Sequence, residues 1–341
     1  MSEKRALITG ITGQDGSYLA EFLLQKGYKV FGLERRNSQK NRGNILHLLE
    51  PEPKIELISG DLLDRTSLDR ALEISEPDEV YNLGAQSFVH ASFEQAEYTL
   101  QATGGGALRL LDAIRQTKRS IKFYQASSSE MFGAAKESPQ NELTRFHPRS
   151  PYASAKVFAH HTAINYREAY GMFNACGILF NHESPRRGIE FVTRKITDGV
   201  AKIKAEISRD LRFNAKSLVL GNLSAKRDWG FAGEYVEAMW LMLQQKEPKD
   251  YVIATGSLHS IEEFANIAFK HVKLNWKYFV STDSKFIRPS DVASLCGDAS
   301  LARKELSWEP KVSFEELVEM MVDADIGTLG GLGEELHLER R

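Results

Sequence analysis

Between residues 5 and 180 the chain alternates two hydrophobic periods. Short apolar and β-branched runs at 6–9, 29–33, 55–58, 79–83, 121–125 and 174–179 are strand-length. Longer stretches at helical period lie between them, for example 17–26, with Gly27 placed to stop the helix. This alternation predicts βαβ units and an α/β fold, a doubly wound parallel-sheet Rossmann domain over 1–184. After about Pro185 the rhythm changes to helices near 191–207, 235–245 and 261–272 with a strand at 217–220. That predicts a smaller α+β lobe over 185–330, with some strands and helices returning to the first domain. No repeat or low-complexity linker separates the halves, so they are expected to pack together. The stretch from Gly327 is Gly-rich and then charged, and 331–341 is expected to be a loose tail.

At 341 residues the chain is long enough to bury a core without a metal or disulfide staple. Its 42% hydrophobic and 26% charged residues exclude disorder as the main state. Lys plus Arg is 44 against 46 for Asp plus Glu, a net charge of -2, which excludes a general nucleic-acid binder; any anion site must be local. Cys176 and Cys296 lie far apart without metal-ligand spacing, which predicts a reduced chain with no metal site. The first residues run directly into a strand with no signal-peptide core, and no apolar run approaches the ~18 residues of a membrane span. The expected location is the cytoplasm.

Gly10-Ile11-Thr12-Gly13-Gln14-Asp15-Gly16 follows the first strand and opens the first helix. Residues without side chains there permit a tight turn and let backbone N–H groups approach a pyrophosphate at the positive end of the helix. About twenty residues on, the second strand ends in Leu33-Glu34-Arg35-Arg36. Glu34 suits the ribose hydroxyls of NAD, whereas Arg35 and Arg36 suit the 2′-phosphate of NADP; the arginine pair favours NADP.

Tyr152 and Lys156 are four residues apart, just after Ser150-Pro151, so they share one face of a helix. A lysine ammonium beside a phenol is expected to lower the phenol's pKa and ready it for proton exchange with a sugar hydroxyl. The fifth strand ends in a serine run with Ser128, followed by Glu130, at the edge that faces the ligand crevice. Ser128 and Tyr152 suffice for hydride chemistry at a carbinol carbon. A carboxylate at Glu130 adds the means to remove a proton next to a new ketone, and so to eliminate water.

Together these residues resemble the extended short-chain dehydrogenase/reductase superfamily and, within it, the GDP-mannose 4,6-dehydratase family. The likeness covers about residues 4–326 and is most specific at 6–20, at Asn181-His182-Glu183-Ser184-Pro185-Arg186-Arg187-Gly188, at 191–196 and at 220–230. It implies a redox-neutral lyase. Tyr152, tuned by Lys156 and helped by Ser128, would accept the O4 proton, and Glu130 would take the C5 proton as water leaves C6. It implies dinucleotide contacts from Gly10, Thr12, Gly13, Gln14, Asp15, Gly16, Arg35, Arg36, Asp61, Leu62, Leu83, Ala85, Tyr152 and Lys156. Ser87, Asn181, Lys195, Leu220, Asn222, Arg227 and Arg288 would meet the GDP-sugar, with His182, Glu183 and Arg187 shaping the site. A homodimer or homotetramer is implied by the polar loop 37–44, similar to a family segment that reaches a neighbour's cofactor.

The chain also departs from the family pattern. Ser128 replaces a usual threonine, Ser224 a usual aspartate and Phe231 a usual histidine, and 100–106 is unusually glycine-rich. GDP-manno-heptose would satisfy the same motifs as GDP-mannose. A nucleotide-sugar 4-epimerase would share the glycine loop, Tyr152 and Lys156 without requiring Glu130. A non-catalytic dinucleotide-binding regulator would need none of the three reactive groups.

Overall fold

A computed structural model of the protein describes residues 3–38, 41–208, 218–286, 292 and 294–338. Six parallel strands fall on the six apolar runs: β1 (Arg5–Thr9), β2 (Lys29–Glu34), β3 (Glu56–Ser59), β4 (Glu79–Asn82), β5 (Lys122–Ser128) and β6 (Asn174–Leu179). A seventh, Asp250–Ile253, pairs parallel to β6. The order is seventh strand, β6, β5, β4, β1, β2, β3. The chain therefore winds outward from β1 in one direction and from β4 in the other, which opens a crevice beyond the carboxyl ends of those two strands.

Six helices belong to this half: α1 (Gln14–Gln25), α2 (Arg65–Ser75), α3 (Val89–Glu94), α4 (Ala96–Thr99), α5 (Gly106–Gln116) and α6 (Pro151–Tyr170). The glycine-rich departure at 100–106 is where α4 passes through a π-helical turn, Leu100–Gly105, into α5. Side chains alternate across the sheet as strand geometry requires. Leu7, Phe31, Val80 and Phe123 pack against Leu68, Leu72, Leu110 and Ile114 of α2 and α5. Ala6, Ile8, Val30, Tyr81 and Tyr124 share the opposite core with Leu19 and Leu23 of α1. Burying each large apolar side chain contributes about 1.5–3 kcal/mol.

That second core also holds Val236, Met239 and Met242 of a helix at Ala232–Leu243. This helix and the seventh strand come from the later half of the sequence and complete the first half's core. The strand was not predicted because its four residues, Asp-Tyr-Val-Ile, are isolated among elements of the other lobe. The second lobe has its own core, in which Ile196 and Val200 of α7 (Val192–Ser208) meet Phe264 and Phe269 of the helix Ile261–His271 and Leu317 and Met321 of the helix Phe314–Leu338. The last helix runs through Gly327 to Leu338. Its apolar spacing continues at Ile326 and Leu329, so the glycines extend a helix already anchored upstream. Residues 339–341 lie outside the described residues.

Candidate active site

The β1–α1 turn is closed by glycines. Gly10 has φ +72°, and a Cβ on Gly16 would lie 2.3 Å from the Gly10 carbonyl oxygen. The N-cap of α1 is Gly13, which offers no side-chain cap, so the first amides of the helix remain available to an anion. These features fit a dinucleotide pyrophosphate. Gly10, Gly13, Gln14, Asp15, Gly16, Leu83 and Ala85 line a cleft with Ser128, Glu130, Tyr152 and Lys156. Ser87 lies in this cleft too and does not line the second lobe's cavity.

Two side chains of the glycine loop act on protein groups. Gln14 Nε2 donates to the His182 carbonyl at 3.0 Å, and Gln14 Oε1 accepts from Ser184 Oγ at 2.8 Å. Asp15 Oδ2 lies 2.9 Å from His182 Nε2, whose other ring nitrogen is 2.7 Å from the Phe180 carbonyl oxygen. Burial favours the neutral acid, but the charge and hydrogen bond of His182 override it and hold Asp15 at about 2. Burial likewise opposes a charged His182, and Asp15 outweighs it to raise that imidazole's pKa.

At the other end of the cofactor path, Glu34 accepts a two-pronged bond from Arg42, with Nε at 2.7 Å and Nη2 at 2.5 Å. Arg35 Nη1 donates to Tyr98 Oη at 2.6 Å. Thr12, Arg35, Arg36 and Ser59 line one hollow, and Asp61 joins both arginines in the next. Leu62 is a packing residue, with its Cδ1 2.9 Å from where a Cβ on Gly84 would stand. Asn44 Nδ2 donates to the Thr12 carbonyl at 3.2 Å, so this part of the 37–44 loop folds onto its own glycine turn. Gln39 and Lys40 lie outside the described residues. Sequence reading missed Arg42 and Tyr98, because both meet their partners through loop folding that no fixed spacing announces.

Helix α6 begins with Ser150 as N-cap, its Oγ accepting from Ala153 N at 3.1 Å, and Pro151 in the first turn. That start fixes Tyr152 and Lys156 at the cleft. Lys156 Nζ donates 2.7 Å to the Ala126 carbonyl at the end of β5, and it lies 5.8 Å from the Tyr152 ring centroid. Burial pushes Tyr152 up to about 12, against pulls from a Ser128 hydrogen bond and the Arg187 charge. Lys156 is itself pushed down by burial to about 8. The expected lowering of the tyrosine's pKa by this lysine is therefore corrected: desolvation dominates, and the ammonium is engaged with a backbone oxygen. Ser128 Oγ accepts from Glu130 N at 3.2 Å, capping the short turn Ser129–Met131 that carries Glu130 into the cleft. Behind them, Ser127 Oγ lies 2.9 Å from Nδ1 of the buried His160.

The second lobe holds a cavity of about 600 Å³ lined by Lys195, Leu220, Asn222, Arg227, Lys285 and Phe286. It adjoins the first cleft at Asn181, Arg187 and Phe191, which line both. Lys195 Nζ donates to the Val219 carbonyl at 2.7 Å and sits 4.0 Å from the Phe286 ring centroid. Arg227 Nη1 donates to the Lys226 and Val292 carbonyls, each at 2.8 Å. Asn222 Oδ1 accepts from the backbone and hydroxyl of Ser224, so the serine found in place of a usual aspartate holds this loop. Phe231, another departure, packs edge-on to Tyr18. Arg288 lies outside the described residues.

A glycine turn after the first strand of a parallel sheet, with a tyrosine and lysine one helical turn apart beside it, defines a short-chain dehydrogenase/reductase fold. Solved structures agree. A dTDP-glucose 4,6-dehydratase from Streptomyces venezuelae, with NAD bound, superposes with TM-score 0.82 at 22% identity over 96% of this chain and 98% of that one. A UDP-glucose 4-epimerase from Thermus thermophilus, in complex with NAD, gives 0.80 at 26% identity over 95% and 99%. One fold carries both chemistries, so sequence must separate them. Residues 7–321 match the model of the GDP-mannose 4,6 dehydratase family. GDP-mannose 4,6 dehydratase 1 of Arabidopsis thaliana is 54% identical over 95% of this chain and 90% of its own length. The Homo sapiens enzyme is 51% identical over 94% and 91%, and that of Vibrio cholerae 47% over 96% and 94%. The chain belongs to the GDP-mannose 4,6-dehydratase family.

Proposed function

We infer that the protein is a hydro-lyase that converts GDP-mannose to GDP-4-keto-6-deoxymannose, with NADP as a recycled partner. The observation that carries this reading is the shared cleft of Ser128, Glu130 and Tyr152, continuous at Asn181 and Arg187 with a cation-lined cavity suited to GDP. When bound, the dinucleotide supplies reversible hydride transfer, so the reaction consumes no net oxidant.

Positive charge from the oxidised nicotinamide beside Tyr152 would favour its phenolate against the effect of burial, and that phenolate would take the O4 proton while Ser128 bonds the same oxygen. The new 4-ketone acidifies C5, and Glu130 removes that proton and passes it to the C6 hydroxyl, which leaves as water. Lys156, fixed by the Ala126 carbonyl, orients the tyrosine side of the cleft. In the second lobe, Lys195 and Arg227 supply charge for the diphosphate.

The NADP preference rests on Glu34. Its carboxylate is engaged by both ends of Arg42, which leaves Arg35 and Arg36 as the groups for a 2′-phosphate. We further propose a homodimer or homotetramer in the cytoplasm, and sedimentation velocity at micromolar concentration tests the assembly. Among the described residues no helix is long and apolar enough to cross a membrane.

The decisive experiment is mass spectrometry of products from GDP-mannose and GDP-manno-heptose with catalytic NADP. Loss of one water without net cofactor reduction, faster from GDP-mannose, is the expected result. Glu130→Gln should abolish water loss while still reducing the cofactor; if the variant dehydrates normally, the elimination role of Glu130 is overturned.

A further inference from the structure

The proposed reaction divides the substrate between two places. Its reacting carbons belong beside Ser128, Glu130 and Tyr152, and its GDP belongs with Lys195 and Arg227, so the hexose must span the junction of the two cavities. An aromatic pair stands at that junction. Phe88, on the loop after β4, meets Phe191, at the start of α7, edge to face with ring centroids 5.7 Å apart and planes at 75°. Phe191 lines both cavities and Phe88 lines the second. The Arg187 guanidinium lies 3.7 Å from the Phe191 ring centroid, and its Nε is 3.2 Å from Glu183 Oε2.

Phe88 is held from its own side as well. Gln86 Oε1 accepts from Phe88 N at 2.7 Å, and Gln86 Nε2 donates to the Phe88 carbonyl at 3.2 Å. The same amide donates to Thr99 Oγ1 at 3.2 Å, while Gln86 N donates to Thr103 Oγ1 at 3.2 Å, so the loop is moored to the π-helical turn. Both rings are only partly buried, each drawn from a different lobe. Such a pair, whose contact is worth about 0.5–1.5 kcal/mol, costs little to open for each substrate and re-forms over it.

We propose that Phe88 and Phe191 form a latch between the lobes that retains the hexose over the catalytic cleft through all three steps. This proposal rests on the dehydratase reading. The need for a latch follows from the chemistry. After C4 has lost a hydride, O4 its proton and C5/C6 a water, the sugar is a 4-keto-5,6-ene and the two electrons reside in the cofactor. The GDP grip holds the nucleotide, but the hexose can swing away at this stage. Release then yields the enone and leaves one reduced dinucleotide per lost product.

The test uses full-length holoenzyme and two readouts. In Phe88→Ala and Phe191→Ala, absorbance at 340 nm should rise during turnover in step with enone release, while Phe88→Tyr restores coupling. In a Tyr152→Phe background that blocks chemistry, Phe88→Ala should weaken GDP-mannose binding by roughly two- to tenfold, the range of one aromatic contact, and leave GDP binding unchanged. Full coupling in both alanine variants, or equal weakening for GDP and GDP-mannose, overturns the latch. If Phe88→Ala does not fold, Phe88→Leu provides the same readouts. The parent enzyme separates the two claims: if it does not remove water from GDP-mannose, the dehydratase reading fails first, whereas a fully coupled variant of a working parent removes only the latch.

Discussion

The two ends of the site are built from different materials. At the dinucleotide end the contacts come from main chain: a turn with no room for a Cβ at Gly16, uncapped amides at the start of α1, and the carboxyl ends of β1, β4 and β5. At the proposed GDP-sugar end they would come from side chains, Lys195 on α7 and Arg227 on a two-residue strand, and both already have protein partners, Val219 for the first and Lys226 and Val292 for the second. A main-chain site is set by the fold, so only a substitution that distorts the turn or removes a reacting group damages it severely. A side-chain site exchanges one set of hydrogen bonds for another on binding, so each contact contributes only a difference.

The largest effect should come from the reacting group at the first end. Tyr152→Phe removes the proton acceptor for O4 and should lower kcat by about 10²–10⁴, the usual contribution of a positioned acid or base. Dinucleotide binding measured by fluorescence quenching should stay within a few-fold; a loss of binding equal to the loss of rate would mean that Tyr152 acts in the cofactor's pocket rather than in chemistry. The cofactor-selecting pair comes next. Arg36→Ala should raise the KM for NADP by roughly tenfold to a hundredfold, the scale of a charge-assisted hydrogen bond, and leave that for NAD nearly unchanged. Equal changes for both cofactors would break the assignment. At the second end, Lys195→Ala should weaken GDP-mannose by about tenfold or less, because the ammonium that leaves the Val219 carbonyl gains only the surplus over that bond. Calorimetric titration reads this directly.

The same contrast explains what was legible in the sequence. The inner strands were readable because both faces of the sheet are buried there, so β1 and β6 read as largely apolar, Leu7 serving one core while Ala6 and Ile8 serve the other. Gly10, Gly13 and Gly16 were readable because a missing side chain is itself a signal at that place. The Tyr152–Lys156 spacing correctly put both groups at one cleft, but not the direction of the tyrosine's pKa, which is decided by burial that no spacing encodes. Arg42, eight residues beyond Glu34, took over the acid that seemed to compete for the ribose. Phe88 and Phe191, over a hundred positions apart, meet only because the second lobe packs on the first. The seventh strand was hidden for the same reason, since it completes a core begun more than two hundred residues earlier, where it joins the helix Ala232–Leu243 that was expected near 235–245.

The smallest predicted effect sharpens the comparison, because it concerns a charged side chain set in the glycine turn itself. Asp15 sits in the first turn of α1, where an uncompensated carboxylate would oppose a pyrophosphate, and His182 neutralises it from the strand that leads into the second lobe. The Asp15 pKa is depressed from 3.8 to about 2, so its contribution to stability is complete above the ordinary carboxylate range and is lost as pH falls through about 2. The His182 pKa is raised above 6.5, so its contribution is complete below 6.5 and is lost as pH rises through the higher folded value. The pair therefore stabilises from about pH 4 to somewhat above neutrality. Of the other groups lining the same cleft, burial pushes Lys156 down to about 8, so its charge falls away toward pH 9, and pushes Tyr152 up to about 12. Asp15→Asn should lower Tm at pH 6 by about 2 °C, for roughly 1 kcal/mol in a chain of this size, and by much less at pH 9. A Tm difference that is constant from pH 6 to 9 would mean that Asp15 serves as a neutral hydrogen-bond acceptor, and that the dinucleotide end is held by backbone alone.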